Sequence, residues 1–171
     1  MLYFAFASNM DPVQMRHRCP DAQVVGLAAL HDHRLGFPRW SDDWAGGVAS
    51  PQLAHGETLW GVLYEVSEAD LRGADAYEGF RGPGDQHNAY DRESVWVELV
   101  RADDGSVPRR VRAQIYLARP ANPAPPSRRY LDAIVRGARA HRLPDEYLEK
   151  LARIPAAEAP VEGAGDPALG A

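Results

Sequence analysis

The sequence predicts an α+β domain built on a small closed or rolled β-sheet. Three observations lead there. Strand-like runs come in pairs rather than alternating with long helices. No glycine pattern of the dinucleotide-binding or P-loop type marks a doubly wound parallel sheet. At 171 residues, 45% of them hydrophobic, the chain has enough apolar material for one sizeable core.

The elements follow in chain order. Leu2-Tyr3-Phe4-Ala5-Phe6 is an apolar, aromatic run suited to a buried strand, and it stops abruptly at Ala7-Ser8-Asn9. Asp11-Pro12 reads as an N-cap followed by proline at the first helical position, with a short helix to Arg18. Asp11 and Gln14 have the spacing of a capping box, with Asp in place of Ser or Thr. Residues 24–37 contain strand-like runs, and Gly46-Gly47 reads as a break before Val48-Ala49. Residues 59–66 form the best strand in the chain. Ser67 caps a helix over 68–77, with Leu71, Ala74 and Tyr77 at helical spacing. The Gly- and Pro-rich stretch 80–89 is a loop. Strands over 90–101 and 107–118 flank a tight turn at Asp104-Gly105. Residues 120–126 form a stiff proline-rich connection. Ser127 caps a helix carrying Tyr130, Ile134 and Ala138, and a last helix starts at Pro144. A domain over 1–155 is expected, followed by an Ala/Gly/Pro-rich flexible tail over 156–171.

Composition narrows the function classes. A net charge of −5 argues against nucleic acid or an anionic membrane as the main partner, and no apolar stretch is long enough to span a bilayer. The start of the chain lacks the basic region and cleavage site of a signal peptide. A lone cysteine, Cys19, excludes an internal disulfide, fits a reducing cytoplasm and reads as packing rather than as a nucleophile. His31 and His33 share a strand face without a third ligand, and the other histidines lack metal-ligand spacing, so no metal site is expected. Trp40 and Trp44 flank an acidic turn without a basic patch, and read as packing or rim residues.

Two places carry candidate chemistry. The turn Phe6-Ala7-Ser8-Asn9-Met10 joins a strand to a helix start, which leaves backbone N–H groups free to cradle an anion; taken alone, an ordinary buried strand and turn is the competing reading. Glu78 ends a helix between Tyr77 and Phe80. Aromatic neighbours would desolvate its carboxylate and raise its pKa toward the range useful for acid–base work, whereas a solvated helix-end glutamate is the alternative. Glutamate at a helix C-terminus also opposes the helix dipole.

Together these pieces resemble the γ-glutamylcyclotransferase family over about residues 2–154. The family's opening motif, an aromatic strand ending Tyr-Gly-Ser-Asn, reads here Phe6-Ala7-Ser8-Asn9. Its glycine pair appears in Trp44-Ala45-Gly46-Gly47-Val48-Ala49, and its Trp-Gly-Val strand in Leu59-Trp60-Gly61-Val62-Leu63-Tyr64. The catalytic Glu-Gly falls on Glu78-Gly79, the tyrosine opening the next strand on Tyr90, and the Pro-Pro-Ser-x-x-Tyr segment on Pro125 to Tyr130.

The resemblance implies a compact mixed β-barrel with peripheral helices. It implies an enzyme that converts a γ-glutamyl amino acid or amine to 5-oxoproline and free amine without a cofactor. Glu78 would be the catalytic acid–base group, and Tyr3, Phe4, Ala5, Phe6, Ala7, Ser8, Asn9, Met10, Tyr90 and Tyr130 would bind the small-molecule γ-glutamyl substrate. Tyr130 and its helix N-terminus would jointly receive an anion. The assembly state stays open between monomer and homodimer. Two residues depart from the motif. Phe6 removes a hydroxyl, and Ala7 would be strained if its position needs positive φ. A non-catalytic binding relative and a γ-glutamyl amide hydrolase are the alternative readings.

Overall fold

A computed structural model describes residues 1–102 and 109–157. Five strands close into a barrel in the order β1-β3-β2-β4-β5. They are β1 (Leu2–Ala5), β2 (Gln23–Ser41), β3 (Gly46–Glu65), β4 (Tyr90–Ala102) and β5 (Arg109–Ala118). All neighbours are antiparallel except β1 and β5, which meet in parallel register at Tyr3 and Gln114. Four helices surround the barrel: α1 (Pro12–Arg18), α2 (Glu68–Glu78), α3 (Arg128–Ala140) and α4 (Asp145–Ala152). The α+β barrel with peripheral helices is thus present. No helix among the described residues is long and apolar enough to cross a membrane.

The largest difference from expectation is the hairpin of β2 and β3. β2 runs on to Ser41, and β3 begins at Gly46. Gly46-Gly47 is therefore not a break, for Gly46 pairs with Ser41 and Gly47 with Trp40. The glycines answer a space requirement instead. A Cβ on Gly47 would lie 1.9 Å from the Ala124 carbonyl oxygen. The connection from 120 to 126 crosses at this point: Gly47 N–H donates to Pro125 O at 2.9 Å, and Trp40 N–H to Ala121 O at 2.9 Å. Those bonds fix the start of α3, and with it Tyr130.

The caps show how side chains set the helix entries. Ser67 and Asp70 form a complete capping box on α2. Burial opposes the Asp70 charge, but hydrogen bonds from Ser67 and from the Asp21 N–H hold its pKa below the ordinary value. At α1, Asp11 caps the helix by accepting from Val13 N–H at 3.0 Å, but Gln14 Oε1 is buried without a partner and the expected box is not made. Asp11 instead pairs with Arg136 of α3 at 2.8 Å. Ser127 accepts from Tyr130 N–H at 3.2 Å at the head of α3.

The expected turn at Asp104-Gly105, the start of the strand expected over 107–118, and the tail beyond Ala157 lie outside the described residues. Ala157 itself donates to Pro126 O at 2.8 Å.

Candidate active site

A cavity of about 630 Å³ opens at one end of the barrel, within the size range of small-molecule sites. It brings Glu78 together with Tyr3, Phe6, Ala7, Ser8, Asn9, Tyr90 and Tyr130. Phe4, Ala5 and Met10, expected among the binding residues, do not line it. Side chains alternate along a strand, so Tyr3 faces the cavity while Phe4 is fully buried in the core, and Ala5 is buried with it. Met10, also fully buried, anchors the turn from beneath. Such burial stabilises the fold by roughly 1.5–3 kcal/mol for a large apolar side chain.

The first wall is the link between β1 and α1. Ser8–Met10 is a single 3₁₀ turn closed by Met10 N–H to Ala7 O at 2.9 Å and Asp11 N–H to Ser8 O at 3.0 Å. The N–H groups of Ser8 and Asn9 head the turn and have no intrahelical acceptor. Ala7 has φ −130°, so the strain expected of a positive-φ position does not arise there. Phe6 is 6% exposed and presents an apolar ring to the cavity.

The second wall is the end of α2. Glu78 is its last residue. Gly79 follows in the left-handed conformation at φ 63°, where a Cβ would also press on Ala89 at 3.1 Å. The glycine thus ends the helix where the carboxylate reaches the cavity. The Glu78 side chain is 13% exposed. Its Oε1 accepts from Asn9 Nδ2 at 3.1 Å and lies 3.7 Å from Arg18 Nη1. Burial raises the Glu78 pKa above the ordinary carboxylate value, against the opposing pull of Arg18 and Asn9.

Asn9 joins the two walls. Its Nδ2 also donates to the Tyr3 hydroxyl at 2.6 Å, and its Oδ1 accepts from Arg18. Arg18 is steadied from its other side by the Tyr77 ring, 4.8 Å from the guanidinium carbon. Burial first, then the Glu78 charge, raises the Tyr3 pKa, so its hydroxyl stays protonated. Arg18 was not legible in the sequence: three basic residues in the last turn of α1 already suit the helix dipole.

The third wall comes from α3 and the mouth. Tyr130 accepts from Ala49 N–H at 3.1 Å and packs on Trp44 with ring centroids 4.9 Å apart. Its own backbone N–H is occupied by Ser127. Trp40 and Trp44 do stand at the rim. Arg39 and Arg129 line the mouth as well, and nothing in the sequence singled them out. Cys19 lies outside the cavity, buried against the Asp70 carbonyl at 3.5 Å. Burial first, then Asp70, pushes its thiol up to about 11.

Residues 58–151 match the AIG2-like family. The chain is 32% identical to human gamma-glutamylcyclotransferase over 158 residues, covering 90% of this chain and 78% of that one. The chain belongs to the γ-glutamylcyclotransferase family. The mouse enzyme of the same name is 29% identical over the same shares of the two chains. A solved gamma-glutamyl cyclotransferase structure superposes with a TM-score of 0.79 at 29% identity, covering 93% of this chain and 90% of that one.

Proposed function

We propose that the protein converts a γ-glutamyl amino acid or amine to 5-oxoproline and the free amine, with Glu78 as the general acid–base group. The single observation that carries this reading is the Glu78 carboxylate: buried, raised in pKa, and aimed into a cavity shared with the Phe6–Asn9 turn and Tyr130.

The chemistry follows from that carboxylate. The donor's α-ammonium must lose a proton before its nitrogen can attack its own γ-carbonyl. A carboxylate with raised pKa is a better base than an ordinary one, and once protonated it can return the proton to the departing nitrogen. The new C–N bond closes the five-membered ring, and the old amide C–N bond breaks. The attack is intramolecular, so the protein's main task is to hold the donor folded. The Ser8 and Asn9 N–H groups suit the donor's α-carboxylate or the developing oxyanion, and the Tyr130 hydroxyl stands beside them. Asn9 and Arg18 keep Glu78 in place without neutralising it permanently.

The test is incubation with a panel of γ-glutamyl amino acids and amines, followed by assay of 5-oxoproline, free amine and free glutamate. Equal amounts of 5-oxoproline and amine are expected, with Glu78→Gln inactive. Free glutamate would make the protein a hydrolase, and ligand binding without any product would make it a binding relative.

A further inference from the structure

Three arginines line the cavity, and they differ in what holds them. Arg18 is committed to Glu78 and Asn9. Arg129 is exposed, lies 4.8 Å over the Trp44 ring, and donates to the Asp43 carbonyl. Arg39 is half-buried and makes one hydrogen bond, from Nη1 to the Arg119 carbonyl at 3.2 Å. The nearby carboxylate of Asp91 is taken by Arg119, which grips it at 2.6 and 2.7 Å. Among the described residues no carboxylate lies within ion-pairing distance of Arg39. A half-buried guanidinium has five N–H donors in a planar fork, and one hydrogen bond leaves most of them without a protein acceptor among the described residues.

Its location decides which anion it suits. Arg39 stands in β2 immediately before Trp40, which is 41% exposed, and before the turn that leads to β3. It therefore adjoins the exposed rim, and the Tyr90 hydroxyl, which lines the same cavity, is within electrostatic reach of both Arg39 and Glu78. In the cyclotransfer reading, on which this inference rests, the donor's α-amino group sits at Glu78. The α-carboxylate next to it sits at the Ser8–Asn9 turn. The scissile amide then points outward and the amine half fills the mouth. We propose that Arg39 is a specificity-determining residue that binds a carboxylate on the amine half of the donor, so that the enzyme selects γ-glutamyl amino acids over γ-glutamyl amines. Asp42 and Asp43 share the rim, but both are exposed on the turn, where solvent screens them, and Asp42 already accepts from Trp40 Nε1 at 2.8 Å.

The experiment compares γ-glutamylalanine with its uncharged isostere γ-glutamylalaninamide. For the wild type, kcat/KM is expected to favour the acid. Arg39→Gln should lower kcat/KM for the acid by about tenfold to a hundredfold, through KM, and leave the amide unchanged. Arg39→Lys should keep part of the preference. An equal fall for both donors would mean that Arg39 serves the glutamyl half or the fold, and no fall for either would mean that it serves neither; each overturns the proposal. If neither donor yields 5-oxoproline, the cyclotransfer reading itself fails. The subsite is then read by equilibrium titration of both donors onto Glu78→Gln and onto Glu78→Gln with Arg39→Gln. A loss confined to the acid supports it, and equal or undetectable affinities overturn it.

Discussion

The inner end of the cavity and its mouth are built on opposite principles. At the inner end Tyr3, Asn9, Arg18 and Glu78 are largely buried, and each polar group is tied to another: Asn9 alone spends its amide on Tyr3, Glu78 and Arg18. At the mouth Trp40, Asp42 and Arg129 are exposed, and Arg39 keeps most of its donors free. A reacting group must be held still and desolvated, since both placement and pKa depend on its surroundings. A group that recognises a variable part of a ligand works best when its hydrogen-bonding capacity is unspent. Under the proposed function the contrast divides the site into a part for the chemistry and a part that chooses what reaches it.

The sharpest way to break this division is Glu78→Gln, with an expected loss of about 10²- to 10⁴-fold in kcat on any donor the wild type processes. Its stability should move the other way. A carboxyl whose pKa is raised by folding binds its proton more tightly folded than unfolded. Its stabilising contribution is full below the unfolded pKa and is lost as pH rises through the raised folded value. At neutral pH the variant should therefore melt no lower than the wild type, with any advantage vanishing as the pH is lowered. Thermal denaturation across pH checks this; a variant that melts lower at neutral pH would show that the ionised carboxylate is structural.

Next in size is Phe6→Tyr, which adds a hydroxyl to the cavity wall. One hydrogen bond to a charged group is worth roughly 1.5–3 kcal/mol, or about one to two powers of ten in kcat/KM for simple γ-glutamyl amino acids. Ala7→Gly should add nothing, because Ala7 holds a negative φ. If the pocket is fitted to a different donor, Phe6→Tyr should harm that donor and leave the simple ones no better.

A smaller effect is expected from Arg18→Met. Among the influences that lower the Glu78 pKa, Arg18 is the largest, so its removal should raise that pKa further. A base must be deprotonated to act, so the acid limb of the kcat/KM profile should move to higher pH. A limb that stays in place would mean that Glu78 does not set it. The smallest effect belongs to the mouth. Trp40→Phe removes an exposed hydrogen bond to Asp42 and should change stability by no more than about 0.5 kcal/mol, measured by denaturant titration.

How much of this was legible in the sequence depended on whether a signal was local. The Ser67 cap, the helix end at Glu78-Gly79 and the strand starting at Tyr90 are short-range patterns, and each element stands where its residues place it. Gly46-Gly47 misled because its meaning is tertiary: the glycines make room for a segment almost eighty residues away in the chain. The box expected at Asp11 fails for a different reason: the Asp11 N–H that Gln14 would accept is already taken by the Ser8 carbonyl. Phe4, Ala5 and Met10 stand next to residues that line the site, but alternation turns Phe4 into the core, and Ala5 and Met10 are buried with it. Arg18 and Arg39 carry no pattern at all, because an arginine's role depends on which carboxylates fold brings near it.

The parallel meeting of β1 and β5 has one more consequence. The barrel closes there through Tyr3 opposite Gln114, and Tyr3 is also the residue whose hydroxyl receives Asn9. Opening the seam would therefore pull one anchor from the chemical wall, so barrel breathing and loss of the assembled site become a single event. A ligand that tightens Asn9 and Glu78 should in turn slow amide hydrogen exchange at the β5 edge, on the far side of the seam from the turn it touches.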